Sequence, residues 1–329
     1  MRPAARAAVA AVLAALTALA GCSSGPAGSA DDADAAAPDT SAYTDGSRVP
    51  NVVNERDIPE LPVARYEFGD SDTERHSRAQ ARAAQRCMVG FGFTDFPLDP
   101  GSPDLPKTVY SMVAVAMATP FGELDLGEAR RWGYGWDPKM AGAVDAAGAG
   151  FGKGRAMTDA EDQVFYNAGG STDRTVNGRE VPENGCSGQA AARLTEGVED
   201  ATRMWTYTSK RSQVLAAKTL KDPDVSEALR TWARCVEDRG LTRYEGREDA
   251  FRDKAWHRDD NGNTRRTQRE RDTAVADIEC AREHNTVGVW WAGEARSQTA
   301  DIESHRATYE AVRRDQDVVR ANIRDVLGN

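Results

Sequence analysis

Arg86-Cys87-Met88-Val89-Gly90-Phe91-Gly92-Phe93-Thr94-Asp95-Phe96 aligns without gaps on Arg234-Cys235-Val236-Glu237-Asp238-Arg239-Gly240-Leu241-Thr242-Arg243-Tyr244. The Arg, the Cys, the Gly five residues on and the Thr are shared, and apolar or aromatic positions correspond. The segment reads as a helix end: the glycine takes the left-handed cap conformation, and the residue after it folds back on the last turn. Two such ends in one chain predict a mainly α fold of two related, disulfide-stapled helical halves.

Each segment has a later cysteine, Cys186 or Cys280, followed by a long helical pattern. After Cys186, Ala191, Leu194, Val198, Ala201, Trp205, Thr208, Ser212 and Leu215 recur in steps of three and four. After Cys280 the same steps run through Trp291, Ala295, Gln298, Ile302, His305, Tyr309, Val312, Gln316, Val319, Ile323 and Val326. Such spacing keeps one stripe on one helix face. As one helix, the second would approach ~60 Å at 1.5 Å per residue. Lys221-Asp222-Pro223-Asp224 ends the first long helix, and Ser226-Glu227 opens the helix leading to Cys235.

The stripes carry a functional expectation. Within one chain, the Ala191–Leu215 helix is the expected partner of the C-terminal one. The sharper alternative is that Tyr309, Val312, Val319 and Ile323 form a face offered to another envelope protein, with Gln298, His305 and Gln316 fixing register.

The N-terminus sets the compartment. Arg2 and Arg6 precede an apolar run from Ala7 to Ala20 that is too short to span a bilayer, and Leu19-Ala20-Gly21-Cys22 follows. These four residues resemble the lipobox of bacterial lipoproteins. The resemblance implies a signal peptide over 1–21, a diacylglyceryl group on Cys22 and membrane lipid as a partner. The protein would then sit, lipid-anchored, on the outer face of the cell membrane, two acyl chains being enough for stable anchoring. Residues 22–62 are Ala, Asp, Ser and Pro without apolar periodicity and predict a flexible linker. The helical halves then cover 63–220 and 221–329. The stretch from Phe96 to Gly185 is a Gly- and Pro-rich insertion in the first, and its run Val109–Ala118 reads equally as strand or helix.

The net charge is −10, and the leader would remove two further positive charges. That balance argues against nucleic acid and against a membrane held by charge. Cys87, Cys186, Cys235 and Cys280 are an even set in an exported chain, spaced 45 residues or more apart, which favours disulfides over zinc. Four cysteines allow three pairings, and the repeat selects Cys87–Cys186 and Cys235–Cys280. Each bond would staple a short helix's end to a long helix's start.

Several pieces (the Cys-Met-x-x-x-Gly-Phe turn at Cys87, Tyr166-Asn167-Ala168-Gly169-Gly170, Gly185-Cys186 and Ala276-Asp277-Ile278-Glu279-Cys280) resemble segments of exported helical lipoproteins of actinobacteria. This resemblance implies a disulfide-bonded helical lipoprotein and brings no activity with it.

No catalytic, metal or cofactor motif stands out. Gly148 to Gly154 resembles a phosphate loop but has Ala147 and Gly154 where glycine and Ser or Thr are required. Asp259, Asn261, Asn263 and Glu270 fall at calcium-loop positions, yet Thr264 replaces the turn glycine and five arginines crowd the stretch. His76, His257, His284 and His305 are scattered. Trp132-Gly133-Tyr134-Gly135-Trp136 is the candidate ligand contact, its aromatic faces suiting sugar rings of cell-wall glycan, although aromatics are more often core. The expected role is non-catalytic binding or scaffolding of a cell-envelope component. The alternatives are an envelope hydrolase or a ligand-binding lipoprotein associated with a transporter.

Overall fold

Short polar residues start most of the helices. In a computed structural model, which describes residues 45–98, 124–137, 155–167, 174–259 and 262–328, ten helices and one two-stranded hairpin carry the fold. Helix α1 spans Asp70–Gly90, α2 Leu126–Trp132, α3 Asp159–Tyr166, and strands β1 and β2 Thr175–Val176 and Arg179–Glu180. Then come α4 Gly185–Leu194, α5 Ala201–Thr219, α6 Pro223–Asp238 and α7 Arg247–Phe251. The chain closes with α8 Gln268–Glu283, α9 Thr286–Ser304 and α10 Arg306–Leu327. Asp125, Asp200, Asp222 and Thr267 accept backbone N–H groups at the starts of α2, α5, α6 and α8. Thr158 and Glu161 form a reciprocal capping box on α3. Pro223 occupies the first turn of α6, where its missing N–H has no helical partner to lose.

Both expected long helices are broken. The pattern after Cys186 divides into α4 and α5, because Gly197 turns with φ +81° and Asp200 restarts the helix. The phase shifts across the break: Met204 is buried and Trp205 exposed. The pattern after Cys280 divides at His305, whose backbone (φ −120°, ψ 25°) leaves helical geometry. The two pieces are about 29 and 33 Å long by helix rise, in place of one rod. His305 itself is exposed, its Nδ1 3.0 Å from the Asp301 carbonyl, so it is not a packed seam residue.

Helix α9 occupies the middle of the packing. It lies against α5, α6, α8 and α10, while α10 also packs on α1 and α4. Helix α8 meets α2, α6 and α7. One core gathers Trp232, Trp256, Ile278 and Val287 with Val52, Leu124, Ala129 and Tyr134, so segments from before and after residue 221 share it. A second surrounds Met88, Phe91, Phe96, Val164 and Phe165. A third joins Ala79, Leu194 and Met204 to Val319, Ile323 and Val326.

The linker expected to run free to Pro62 is docked from Gly46 onward, whose carbonyl accepts from Arg296. Asn285 Nδ2 donates to the Pro50 carbonyl (2.8 Å) and its Oδ1 accepts from the Val52 amide (3.0 Å). Trp291 donates to the Pro59 carbonyl (2.8 Å), Gln298 accepts from the Val63 amide (3.1 Å), and Gln316 donates to the Tyr66 carbonyl (2.7 Å). The two glutamines of the stripe thus satisfy backbone groups of this irregular segment, the Tyr66 carbonyl sharing Gln316 with the Thr208 hydroxyl (3.1 Å). Composition missed this because the bonds come from helices more than 200 residues away in sequence. Residues 22–44, the run Val109–Ala118 and the phosphate-loop lookalike at 148–154 lie outside the described residues.

Candidate functional site

Cys87 is bonded to Cys186 and Cys235 to Cys280, with Cα atoms 5.6 and 5.8 Å apart. In each pair the first cysteine is half-buried and the second is fully buried. The glycine five residues past each first cysteine has positive φ, +94° at Gly92 and +77° at Gly240. At the first site the Phe93 amide donates to the Met88 carbonyl across the turn. Cys186 opens the first turn of α4, as expected for a helix start, but Cys280 lies in the last turn of α8. The second bond therefore joins two helix ends.

Cys235 of that second bond lines a surface cleft of about 390 Å³ together with Thr231, Arg234, Asp238, Arg239, Glu283 and His284, while Cys280 lies buried behind it. Most charges there are matched within the protein. Arg239 pairs with Glu279 and, at 3.3 Å, with Glu283. Arg234 reaches Glu227 (3.3 Å) and the Thr231 hydroxyl (3.0 Å). The donor atoms of Cys235, Glu283 and His284 lie within 4.8 Å of one another, the one such group of metal-ligating side chains among the described residues. Sequence reading missed it by treating His284 as an isolated histidine. The available signal was Cys280-x-x-Glu283-His284, a spacing that places all three on adjacent turns of one helix face.

A buried polar network fixes α6, α7 and the loop after α2 onto α8. Asp277 accepts from Arg247 Nε (2.5 Å), Trp232 Nε1 (3.1 Å) and the Tyr134 hydroxyl (3.2 Å). Burial, first, and then the neighbouring Asp277 charge hold the Tyr134 phenol well above its usual value, so it stays a donor. Glu270, fully buried, accepts from the Tyr134 amide (3.1 Å) and the Thr264 hydroxyl. Glu270 thereby belongs to the core, while Asp259 Oδ1 accepts from the Asn263 amide (3.0 Å). Neither carboxylate is directed to a shared calcium position.

The aromatic loop is drawn into the same core. Tyr134 is 6 % and Trp136 5 % exposed, and the Tyr134 ring lies 5.9 Å from Phe251 and 5.8 Å from Trp256. Their faces are covered, and Trp132 alone is half-exposed, with the Arg266 guanidinium over its ring at 5.6 Å. The C-terminal face is covered too: Tyr309, Val312 and Val319 are 0 % and Ile323 3 % exposed. Helices α1, α4 and α5 and the docked segment do the covering, so this face is not offered to a second protein. Cys22 is outside the described residues.

Away from the aromatic loop, Tyr166 (54 % exposed) and a cluster around Trp205 reach the surface. Trp205, 36 % exposed, lies 5.0 Å from the Phe68 ring and 5.2 Å from the His76 ring, with the Arg320 guanidinium over Phe68 at 5.2 Å. Burial holds the His76 imidazole below its ordinary value, which favours the neutral ring. None of the described helices is long and apolar enough to cross a membrane. No family model, curated protein or solved structure matches this chain.

Proposed function

We propose that the protein is an exported lipoprotein, held on the outer face of the cell membrane through diacylglyceryl-Cys22, that binds or scaffolds a cell-envelope component without catalysis. The observation that carries this reading is Leu19-Ala20-Gly21-Cys22 behind a basic, then apolar leader. Two disulfides add support, since such bonds persist in oxidising compartments. The resemblance to helical lipoproteins of actinobacteria belongs to the same proposal, as does the origin of the two cysteine segments in related halves.

Cell-wall glycan is the ligand class that the exposed aromatic group fits. Trp205, backed by Phe68 and a neutral His76, presents a flat apolar face beside charged residues. It takes the place of the buried Trp132–Trp136 loop as the contact surface. Two measurements test the reading. Cys22→Ala should move the protein out of the membrane fraction, and mass spectrometry of the native form should find an acylated Cys22 at the mature N-terminus. Trp205→Ala should weaken co-sedimentation with insoluble cell-wall glycan about tenfold or more, as for an anchoring aromatic. Retention of the Cys22→Ala protein in the membrane would overturn the anchor, and undiminished sedimentation the glycan surface.

A further inference from the structure

The Cys235–Cys280 bond closes over a set of metal donors. Cys235 Sγ faces the cleft beside Glu283 and His284, all within 4.8 Å. Cys280, bonded to Cys235, stands four residues before His284, and the His284 amide still donates to the Cys280 carbonyl at 3.1 Å. Both therefore remain on one helical face. While the sulfurs are bonded to each other they offer no thiolate, the form that binds a borderline-soft cation. As two thiols they complete a Cys, Cys, His and Glu set, the donor number a tetrahedral zinc ion takes.

We propose that this disulfide is the closed state of a redox-gated site for a thiophilic divalent cation, zinc above all, held when open by Cys235, Cys280, His284 and Glu283.

The dimensions fit. A tetrahedral ion with bonds of ~2.0–2.3 Å holds two donors about 3.3–3.8 Å apart, so the cleft donors, within 4.8 Å of one another, need to close by at most about 1.5 Å, a side-chain rotation. Two thiolates on one tetrahedral ion sit about 3.8 Å apart, within reach of side-chain rotation from Cα atoms at 5.8 Å. Arg239 would release Glu283 and keep Glu279. Around Cys87–Cys186 no comparable donor group exists among the described residues.

The opening step needs a dithiol reductant. Its thiolate attacks the accessible Cys235 sulfur, the S–S bond breaks, and the electron pair leaves on Cys280 Sγ, which takes a proton. The reductant's second thiolate then displaces Cys235 Sγ, which is protonated in turn. The reductant departs as a disulfide, two electrons poorer. Binding one divalent ion releases the two thiol protons and leaves a neutral dithiolate–metal unit. This chemistry belongs to the folded body and does not depend on the lipid anchor or on glycan binding.

Cobalt(II), a spectroscopic stand-in for zinc, provides the test on the full mature chain. After reduction with a phosphine reductant, one equivalent should give thiolate-to-cobalt charge transfer with tetrahedral d–d bands, displaced by zinc. The oxidised chain should give neither. His284→Ala should weaken binding at least tenfold, and Cys235→Ser should abolish the charge-transfer band. No band in the reduced chain, or a band that survives Cys235→Ser or is indifferent to His284→Ala, overturns the proposal. Near-ultraviolet circular dichroism guards against unfolding: a reduced chain that loses its signal should regain it with zinc, and one that stays unfolded with zinc present also overturns it.

Discussion

The two cysteine sites share a sequence signature and differ in nearly everything around it. At Cys87 the chain end of α1 is enclosed: Asn177 donates to the Phe91 carbonyl and Arg179 to the Gly90 carbonyl, both at 2.5 Å, so the β1–β2 hairpin caps the turn. At Cys235 the turn after α6 is open, and nothing lies within 4 Å of where a Gly240 side chain would begin. The first bond ties a helix end to a helix start, the second ties two ends. The first lies among apolar rings; the second keeps Cys280 in the main core while Cys235 faces ion pairs, a histidine and a cleft. A short motif thus dictates its own cap and cysteine, while tertiary packing decides whether the first cysteine is enclosed by a hairpin or lines a surface cleft.

Removing each bond tests that contrast most strongly. By loop-closure entropy, Cys87→Ser with Cys186→Ser should lose about 4.7 kcal/mol and Cys235→Ser with Cys280→Ser about 4.0, read by denaturant unfolding. A much smaller loss at the second site would mark it as the labile one, and equal losses would make the two equivalent staples. Next, Arg247→Ala leaves the Asp277 charge buried without its cation and should cost about 3–5 kcal/mol. A milder effect would mean that Trp232 and Tyr134 suffice to hold α8.

The glycines give a smaller, sharper comparison. Gly240→Ala should cost roughly 1–2 kcal/mol, the ordinary penalty for a left-handed alanine. Gly92→Ala should cost more, because its Cβ would lie 2.8 Å from Asn177 Nδ2. Equal losses would mean that the hairpin yields freely. The smallest effect concerns acid. Hydrogen bonds from Arg155, the main cause, and from Thr158 pull the Glu161 carboxyl from 4.5 down to about 2. A depressed carboxylate contributes stability above its unfolded value that is lost as pH falls towards the folded one. Arg155→Ala should therefore lower Tm by a few degrees at pH 7 and by almost nothing at pH 2.

The helical class and the cysteine segments could be read from the sequence because their signals are local: a glycine fixed in distance from a cysteine, and apolar residues in steps of three and four. The breaks at Gly197 and His305 could not, since steps of three and four can be read through both in the sequence, although the buried face shifts phase after Gly197. The Trp132–Trp136 loop reads alike as ligand contact or core, and the choice lies with Asp277 and Glu270, more than 130 residues away. The donor group at Cys235 combines residues from two helices, so its legible part was limited to the face of α8.

The docked segment bears on how the body would respond to pulling. Between the anchor proposed at Cys22 and the first docked residue, Gly46, the chain can span at most about 85 Å. Tension beyond that reach would arrive at Gly46, whose carbonyl accepts from Arg296, and would then meet the bonds at Pro50, Val52, Pro59, Val63 and Tyr66 one after another. On a lipid-anchored chain the segment would act as a graded strain relief, giving up its bonds to α9 and α10 one at a time.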